Sequence, residues 1–136
     1  MIQKTEIRVR YEETDRMGVA YYAKYLVWFE VARTEFFKKI GFSYRALEEE
    51  KGLRFMVVDA RCAYKSPVTY DDLITIETGV KSVRNTSMSF HYTVKKDKVL
   101  VATGETSHVF TNTTGKPVRI PEGILKALEE RLPREA

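Results

Sequence analysis

Asp15 stands three positions before Gly18 and seven before Tyr22, where an acidic loop meets a long apolar stretch. A carboxylate can attack a carbonyl carbon as a nucleophile or activate water as a general base. The first amides of a helix have no partners within it, so they can donate hydrogen bonds to an oxyanion, and the helix dipole adds to the attraction. Gly18 lets the backbone turn there and approach a ligand closely. The spacing therefore fits a site for acyl transfer.

The carboxylates of this stretch also have ordinary interpretations. Asp15 can simply cap the positive end of a helix, and Glu12 and Glu13 are expected to be solvated loop residues. Glu30 differs because its neighbours along the helix are apolar, and an unpaired carboxylate would be costly there. We therefore expect Glu30 to have a partner. Glu30 would then either form a structural ion pair or hydrogen bond, or position water or the catalytic loop.

The residues from Tyr22 onward show the periodicity of a core helix that ends at Gly41. Arg33 is the only polar residue on the predicted buried face. The apolar members of that face are Tyr22, Tyr25, Leu26, Phe29, Ala32, Phe36 and Ile40. The opposite face is also apolar in the first half of the helix, where Val27 and Val31 lie. We therefore expect the N-terminal half to be covered on all sides.

Alternating apolar and polar residues predict five strands, at residues 5–11, 53–64, 72–83, 86–95 and 98–111. The apolar residues that share one face are Met56, Val58, Ala60 and Cys62 in the second strand, Ile74, Ile76 and Val80 in the third, and Met88, Phe90, Tyr92 and Val94 in the fourth. Ser43 and Gly52 fit the cap and the end of a short helix at 42–51, and Pro121 fits the start of a last one. This order predicts an α+β fold in which four consecutive antiparallel strands and the first strand cover the long helix.

The composition fits one domain, residues 1–136, because the chain is 43% hydrophobic and has no linker-like stretch. No apolar run is long enough to span a bilayer, and residues 1–13 lack the apolar centre of a signal peptide, which predicts a cytoplasmic protein. The 23 basic residues are interleaved with 19 acidic ones, so the net charge of +4 gives weak support for nucleic-acid binding. Cys62 cannot form an internal disulfide, and His91 and His108 have no paired ligand spacing, so we expect no metal site.

Eight residues around the acidic loop carry a specific combination of spacings. They are Tyr11, Asp15, Gly18, Val19, Tyr21, Tyr25, Trp28 and Glu30. An aromatic residue precedes an acidic stretch that ends in aspartate, then come a glycine, an aliphatic and aromatic entry to a helix, and an acidic residue along that helix. This pattern resembles the hotdog-fold acyl-CoA thioesterases of the 4-hydroxybenzoyl-CoA thioesterase type, including the branch associated with the bacterial Tol-Pal system. The resemblance covers about residues 5–128.

The resemblance implies a hotdog fold, a five-stranded antiparallel sheet wrapped around a long central helix, and hydrolysis of a CoA thioester without a metal or redox cofactor. Asp15 would be the catalytic carboxylate, as nucleophile or general base, with Gly18 in its loop and the backbone N–H of Tyr22 polarising the thioester carbonyl. The substrate-binding positions carried over are Tyr21, Tyr25, Glu30, Arg84, Thr86 and Ser87. The family pairs protomers edge to edge, so a homodimer or a homotetramer (a dimer of dimers) is expected.

The chain departs from the family pattern at Tyr22, where members of the Tol-Pal branch commonly have histidine, so a joint mechanism of aspartate and histidine is not carried over. Arg16 and Met17 also replace smaller residues. Two alternatives stay close to the main prediction: an acyl-carrier-protein thioesterase and a non-catalytic acyl-CoA-binding module with the same fold. A nucleic-acid-binding domain has less support.

Overall fold

The computed structural model describes residues 2–133. Its elements are β1 (Gln3–Arg8), α1 (Lys24–Lys39), α2 (Tyr44–Lys51), β2 (Arg54–Tyr64), β3 (Leu73–Val83), β4 (Ser87–Lys96), β5 (Val99–Thr111) and α3 (Glu122–Glu129). All strand pairs are antiparallel, and the order in the sheet is β1-β3-β4-β5-β2. The five predicted strands are confirmed, although Tyr11 lies in a 3-10 turn rather than in β1. No helix within the described residues is long and apolar enough to cross a membrane.

The inward faces of β3 and β4 form the wall behind α1. Their buried apolar residues are Ile74, Ile76, Val80, Met88, Phe90, Tyr92 and Val94, as alternation predicted. Phe29 stacks on Tyr92 with ring centroids 4.2 Å apart, and Phe36 meets Phe90 edge to face at 5.2 Å. Gly104 of β5 leaves room for Phe29, because a Cβ there would overlap the ring. These contacts hold α1 against the centre of the sheet.

The buried face of α1 differs from the predicted one. The helix begins at Lys24, so Tyr22 lies before it and is 61% exposed. The residues that α1 buries are Tyr25, Trp28, Phe29, Ala32, Arg33, Phe36 and Phe37. Leu26, Val27 and Val31 remain exposed because the sheet of one protomer covers only one side of the helix. The expectation that the N-terminal half is covered on all sides is therefore wrong for a single protomer.

The second predicted strand, β2, is an edge strand. It pairs with β5 rather than with β3, and no strand among residues 2–133 lies on its other side. A bulge after Val57 shifts its alternation. Met56, Val58 and Ala60 are exposed whereas Cys62 is half-buried, and the bulge interrupts the single face on which these four residues were predicted to lie. The bulge moves side chains between faces, and the edge position leaves them uncovered.

The signals for turns and caps are confirmed. Ser43 caps α2 by accepting the N–H of Ala46 at 3.1 Å, and Gly52 ends that helix with φ of 62°. Asp97 adopts φ of 54° in the hairpin between β4 and β5. Leu128 of α3 is fully buried. Side chains that hydrogen-bond their own backbone, or tolerate positive φ, explain why these boundaries can be located in the sequence.

His108 is buried in the core under α1. Its ring stacks on Phe55 at 4.1 Å, and Nε2 forms a 2.7 Å hydrogen bond with the hydroxyl of Thr106. Burial lowers the pKa of His108 to about 3, and the charge of Arg33 acts in the same direction. The imidazole is therefore neutral near pH 7 and packs as an aromatic ring.

Candidate active site

Residues 13–21 form a small hairpin between β1 and α1. The amide of Tyr21 donates to the carbonyl of Glu13 at 2.8 Å, and Thr14 forms an antiparallel bridge with Ala20. The N–H of Ala20 also donates to the carbonyl of Val68 at 2.8 Å. The connection between β2 and β3 therefore fixes the 13–21 hairpin next to the start of α1.

Asp15 lies near the tip of this hairpin. Its amide donates to the carbonyl of Val19 and its carbonyl accepts the N–H of Gly18, both at 2.9 Å. Oδ1 accepts the N–H of Met17 at 2.8 Å, whereas Oδ2 accepts no hydrogen bond from residues 2–133. Gly18 has φ of 81°, a left-handed conformation that favours glycine. The helix-cap interpretation of Asp15 is wrong, since Ala23 is the N-cap of α1.

A turn over residues 21–24 leads into α1 and is closed by a 2.9 Å hydrogen bond from the N–H of Lys24 to the carbonyl of Tyr21. The two amides inside the turn belong to Tyr22 and Ala23, and neither donates to an acceptor in the described part of the chain. They lie at the positive end of a helix of 16 residues. The turn therefore offers donors to a ligand that carries negative charge.

A cleft of about 340 Å³ opens beside the hairpin, and both Asp15 and Tyr22 line it. The other lining residues are Met17, Val19, Ala20, Tyr25, Tyr64, Lys65, Ser66 and Pro67. Tyr25 is only 3% exposed; burial raises its pKa to about 12, and Cys62 adds to the shift. The cleft thus combines a carboxylate with a mainly aromatic and aliphatic wall, and Lys65 supplies a positive charge.

Five predicted site residues lie together in this region: Asp15, Gly18, Tyr21, Tyr22 and Tyr25. The ring of Tyr21 is 4.7 Å from that of Tyr22 and is 42% exposed. Hydrogen bonding with Tyr22 raises the pKa of Tyr21, and the charge of Asp15 contributes in the same direction. Tyr21 therefore stands beside the carboxylate, although it does not line the cleft itself.

The environments of Glu13 and Glu30 are the reverse of those expected. Glu13 is 3% exposed; its Oε2 accepts the indole N–H of Trp28 and its Oε1 accepts the N–H of Arg10, both at 2.8 Å. These donors satisfy the buried carboxylate, which ties the 13–21 hairpin to α1. Glu30 is exposed on the open side of α1, so the expectation that it is covered is wrong.

The predicted substrate-binding residues Arg84, Thr86 and Ser87 lie at the turn between β3 and β4. Val109 of β5 pairs with Ser87 on one side and with Met56 on the other, so this turn is at the end of the sheet where β2 begins. The cleft is at the opposite end, where β2 finishes. One protomer therefore does not bring Arg84, Thr86 and Ser87 to Asp15.

Two residues that line the cleft, Tyr64 and Lys65, were not among the predicted site residues. The hydroxyl of Tyr64 donates to the carbonyl of Tyr22 at 2.9 Å. The bridge between Val19 and Thr69 brings the end of β2 to this place, and sequence periodicity carries no signal for such a contact.

Within residues 2–133, no cluster of three His, Cys, Asp or Glu side chains is arranged to hold a metal ion.

Comparison with protein families gives a match over residues 9–128 to the model described as the thioesterase-like superfamily. The acyl-CoA thioesterase YbgC of Haemophilus influenzae is 34% identical over 123 residues, which are 89% of this chain and 90% of that protein. The family match over residues 9–128 therefore includes the 13–21 hairpin, the residues that line the cleft, and strands β2 to β5.

Two solved structures have a similar fold. The DHNA-CoA thioesterase of Staphylococcus aureus has a TM-score of 0.90 and 32% identity, with 95% of this chain and 89% of that chain covered. The 4-hydroxybenzoyl CoA thioesterase of a Pseudomonas species has a TM-score of 0.86 and 23% identity, with coverage of 93% and 98%. These likenesses confirm the predicted hotdog fold.

Proposed function

We infer that this chain, which belongs to the thioesterase-like superfamily, is an acyl-CoA thioester hydrolase with Asp15 as its catalytic carboxylate. One observation carries the site assignment: the free Oδ2 of Asp15 and the turn with the free amides of Tyr22 and Ala23 adjoin the same cleft. We also propose that the chain forms one domain and acts in the cytoplasm. Its single, half-buried Cys62 fits a reducing compartment.

Asp15 can act in two ways at this position. As a nucleophile, Oδ2 attacks the thioester carbon, the C–S bond breaks, CoA leaves as its thiolate, and water hydrolyses the resulting anhydride. As a general base, Oδ2 takes a proton from the water that attacks the same carbon. A single turnover in ¹⁸O-labelled water separates them, because only the nucleophile route can give a first product whose new oxygen comes from Asp15.

Both routes develop negative charge on the thioester oxygen. The amide of Tyr22 is our proposed donor to that oxygen, at the positive end of α1. Gly18 holds the hairpin conformation in which Oδ1 of Asp15 is occupied by Met17 while Oδ2 stays free. We assign Tyr25 to the wall around the acyl group and Tyr21 to its rim. Lys65 is a candidate contact for the negative charge of CoA.

The open face of the protomer supports a homodimer. This face consists of Tyr22, just before α1, and the exposed apolar residues of α1 and β2, namely Leu26, Val27, Val31, Val57 and Val58. A long apolar edge strand left in water is a site for association, and pairing of two β2 strands would cover it. We propose such a dimer, with a dimer of dimers as its further assembly.

The same pairing would complete the substrate site. In an antiparallel pair about a two-fold axis, the start of the partner's β2 lies next to the end of β2 in this protomer. The turn with Arg84, Thr86 and Ser87 is at the start of β2 in the sheet. The partner's Arg84 would therefore lie on the same side of the assembly as Asp15 of this protomer, where it can meet the phosphates of CoA.

The test is a thiol-release assay with short, long and aromatic acyl-CoAs. We expect Asp15→Asn to lower kcat by about 10³-fold, because the amide keeps the shape of the carboxylate but cannot attack or take a proton. Asp97→Asn, in the hairpin between β4 and β5, removes the same charge away from the cleft and should retain wild-type kcat. Full turnover by Asp15→Asn would falsify the catalytic assignment.

Two other outcomes of the thiol-release assay would support the alternative functions instead. A wild-type protein that cleaves acyl-carrier-protein thioesters but no acyl-CoA is an acyl-carrier-protein thioesterase. A wild-type protein that binds CoA and cleaves no thioester is a binding module.

A further inference from the structure

Tyr64, the last residue of β2, bridges from the edge strand to the turn before α1. Its hydroxyl donates to the carbonyl of Tyr22 at 2.9 Å. The N–H of Tyr25 reaches the same carbonyl only at 3.4 Å, so the tyrosine hydroxyl is the shorter of the two donors. The orientation of the turn therefore depends on a side chain that belongs to another element.

The ring of Tyr64 is held on two sides. It meets Tyr25 edge to face with centroids 4.9 Å apart, and Tyr22 edge to face at 6.4 Å. Burial raises the pKa of Tyr64 to about 12. The hydroxyl therefore keeps its proton near pH 7 and remains a donor.

The hydrogen bond acts on a peptide group inside the turn. The carbonyl of Tyr22 and the N–H of Ala23 belong to one peptide unit, so a donor on the oxygen polarises the unit and makes its N–H a stronger donor. The same bond limits rotation of the turn that contains the free amide of Tyr22. Both effects concern the region where the thioester oxygen would be bound.

We propose that Tyr64 is a positioning residue for oxyanion binding: its hydroxyl fixes the 21–24 turn so that the free amides face the thioester oxygen. The proposal rests on the thioesterase function inferred above and goes beyond it, since it assigns to β2 a part in the chemistry. Tyr64 contacts the turn through the hydroxyl and lines the cleft with its ring. The two roles can be separated by substitution.

Tyr64→Phe removes only the hydroxyl and keeps the ring. We expect kcat for an acyl-CoA to fall by about tenfold, with KM within about twofold of wild type, because the amides would be less well placed in the transition state. Tyr64→Leu removes the ring as well and should also raise KM. Tyr44→Phe is the matched control, since the hydroxyl of Tyr44 has no hydrogen-bond partner within residues 2–133.

A second measurement is independent of activity. In ¹⁵N-labelled protein, loss of the hydroxyl should move the amide nitrogen signal of Ala23 upfield in Tyr64→Phe and leave it in place in Tyr44→Phe. A raised KM at unchanged kcat would mean that Tyr64 is only a wall of the cleft, and it would overturn the proposal. So would an unmoved Ala23 signal.

The proposal and the proposed function fail in different ways. An active wild type whose Tyr64→Phe variant keeps full kcat overturns the role of Tyr64 alone. A wild type that releases no thiol from any acyl-CoA overturns the proposed function, and the role of Tyr64 in oxyanion binding with it.

Discussion

The two ends of α1 have opposite environments. At the C-terminal end, Phe36 and Phe37 are each 1% exposed and pack edge to face on Phe90, with centroids 5.2 and 5.8 Å away. At the N-terminal end, Tyr22 is 61% exposed and Val27 is 49% exposed. The C-terminal end is therefore closed by the protomer's own sheet, whereas the N-terminal end buries Tyr25 and Trp28 on its inner side and leaves its outer side for ligands and partners.

The difference shows how one helix can serve both stability and chemistry. The closed end satisfies its side chains by packing, which is where most of the free energy of helix formation in a protein comes from. The open end keeps free amides and a carboxylate with a free oxygen, groups that are available to a ligand. Substitutions at the two ends should therefore affect different measurements. Phe36→Ala and Val27→Lys test the two ends, and Glu13→Gln tests the contact that ties the 13–21 hairpin to α1.

Phe36→Ala should cause the largest loss of stability. Truncation of a buried phenylalanine removes apolar contacts and leaves a cavity, at a cost of about 3–5 kcal/mol in the free energy of unfolding. Urea denaturation measures this loss, and kcat of the folded fraction should stay at the wild-type value. Tyr70→Ala, an exposed aromatic truncation, should cost a fraction as much. Similar losses in both variants would contradict the division between the two ends.

Glu13→Gln should affect both measurements. A glutamine side chain can accept through only one atom, so the N–H of Arg10 or of Trp28 loses its acceptor, which costs about 1–3 kcal/mol. Because Glu13 holds the hairpin that carries Asp15, kcat should fall as well. Urea denaturation and thiol release measure the two effects. The exposed neighbour Glu12 provides the control Glu12→Gln, and equal effects of the two changes would show that burial of Glu13 is unimportant.

Val27→Lys should have the smallest effect on the protomer, within about 0.5 kcal/mol, because the residue is exposed on a helix surface. It places a charge in the open face and should dissociate the proposed dimer, as sedimentation equilibrium would detect. Val99→Lys, at the hairpin between β4 and β5, is an equivalent change outside that face. A Val27→Lys protein that still sediments like wild type would exclude this face as the interface.

The elements that were predicted well have both of their neighbours in the same chain. Alternation gave the buried face of β4 correctly, since β3 and β5 flank it. It failed for β2, where one side lacks a partner strand and Val58 follows a bulge. Ser43 and Gly52 located α2 because caps depend on residues close in the sequence.

The site was predicted in part for the same reason. The distance between Asp15 and Tyr22 along the chain is short, so their spacing alone placed them at one cleft. Tyr64 depends on a contact between distant segments, and Glu13 depends on the indole N–H of Trp28, which a pattern of residue types does not specify. Glu30 was expected to be covered because its neighbours are apolar, yet the sheet does not extend to its side of α1.

The hairpin around Asp15 contains one position that does not tolerate substitution and one that does, which matters for engineering the cleft. Gly18 is fixed by its backbone, because any residue with a Cβ at a φ of 81° is strained. Met17 holds Oδ1 of Asp15 through its backbone N–H, while its side chain is 80% exposed and lines the cleft. If the cleft binds the acyl group as proposed, a library at position 17 would sample new acyl specificities while the carboxylate keeps its geometry.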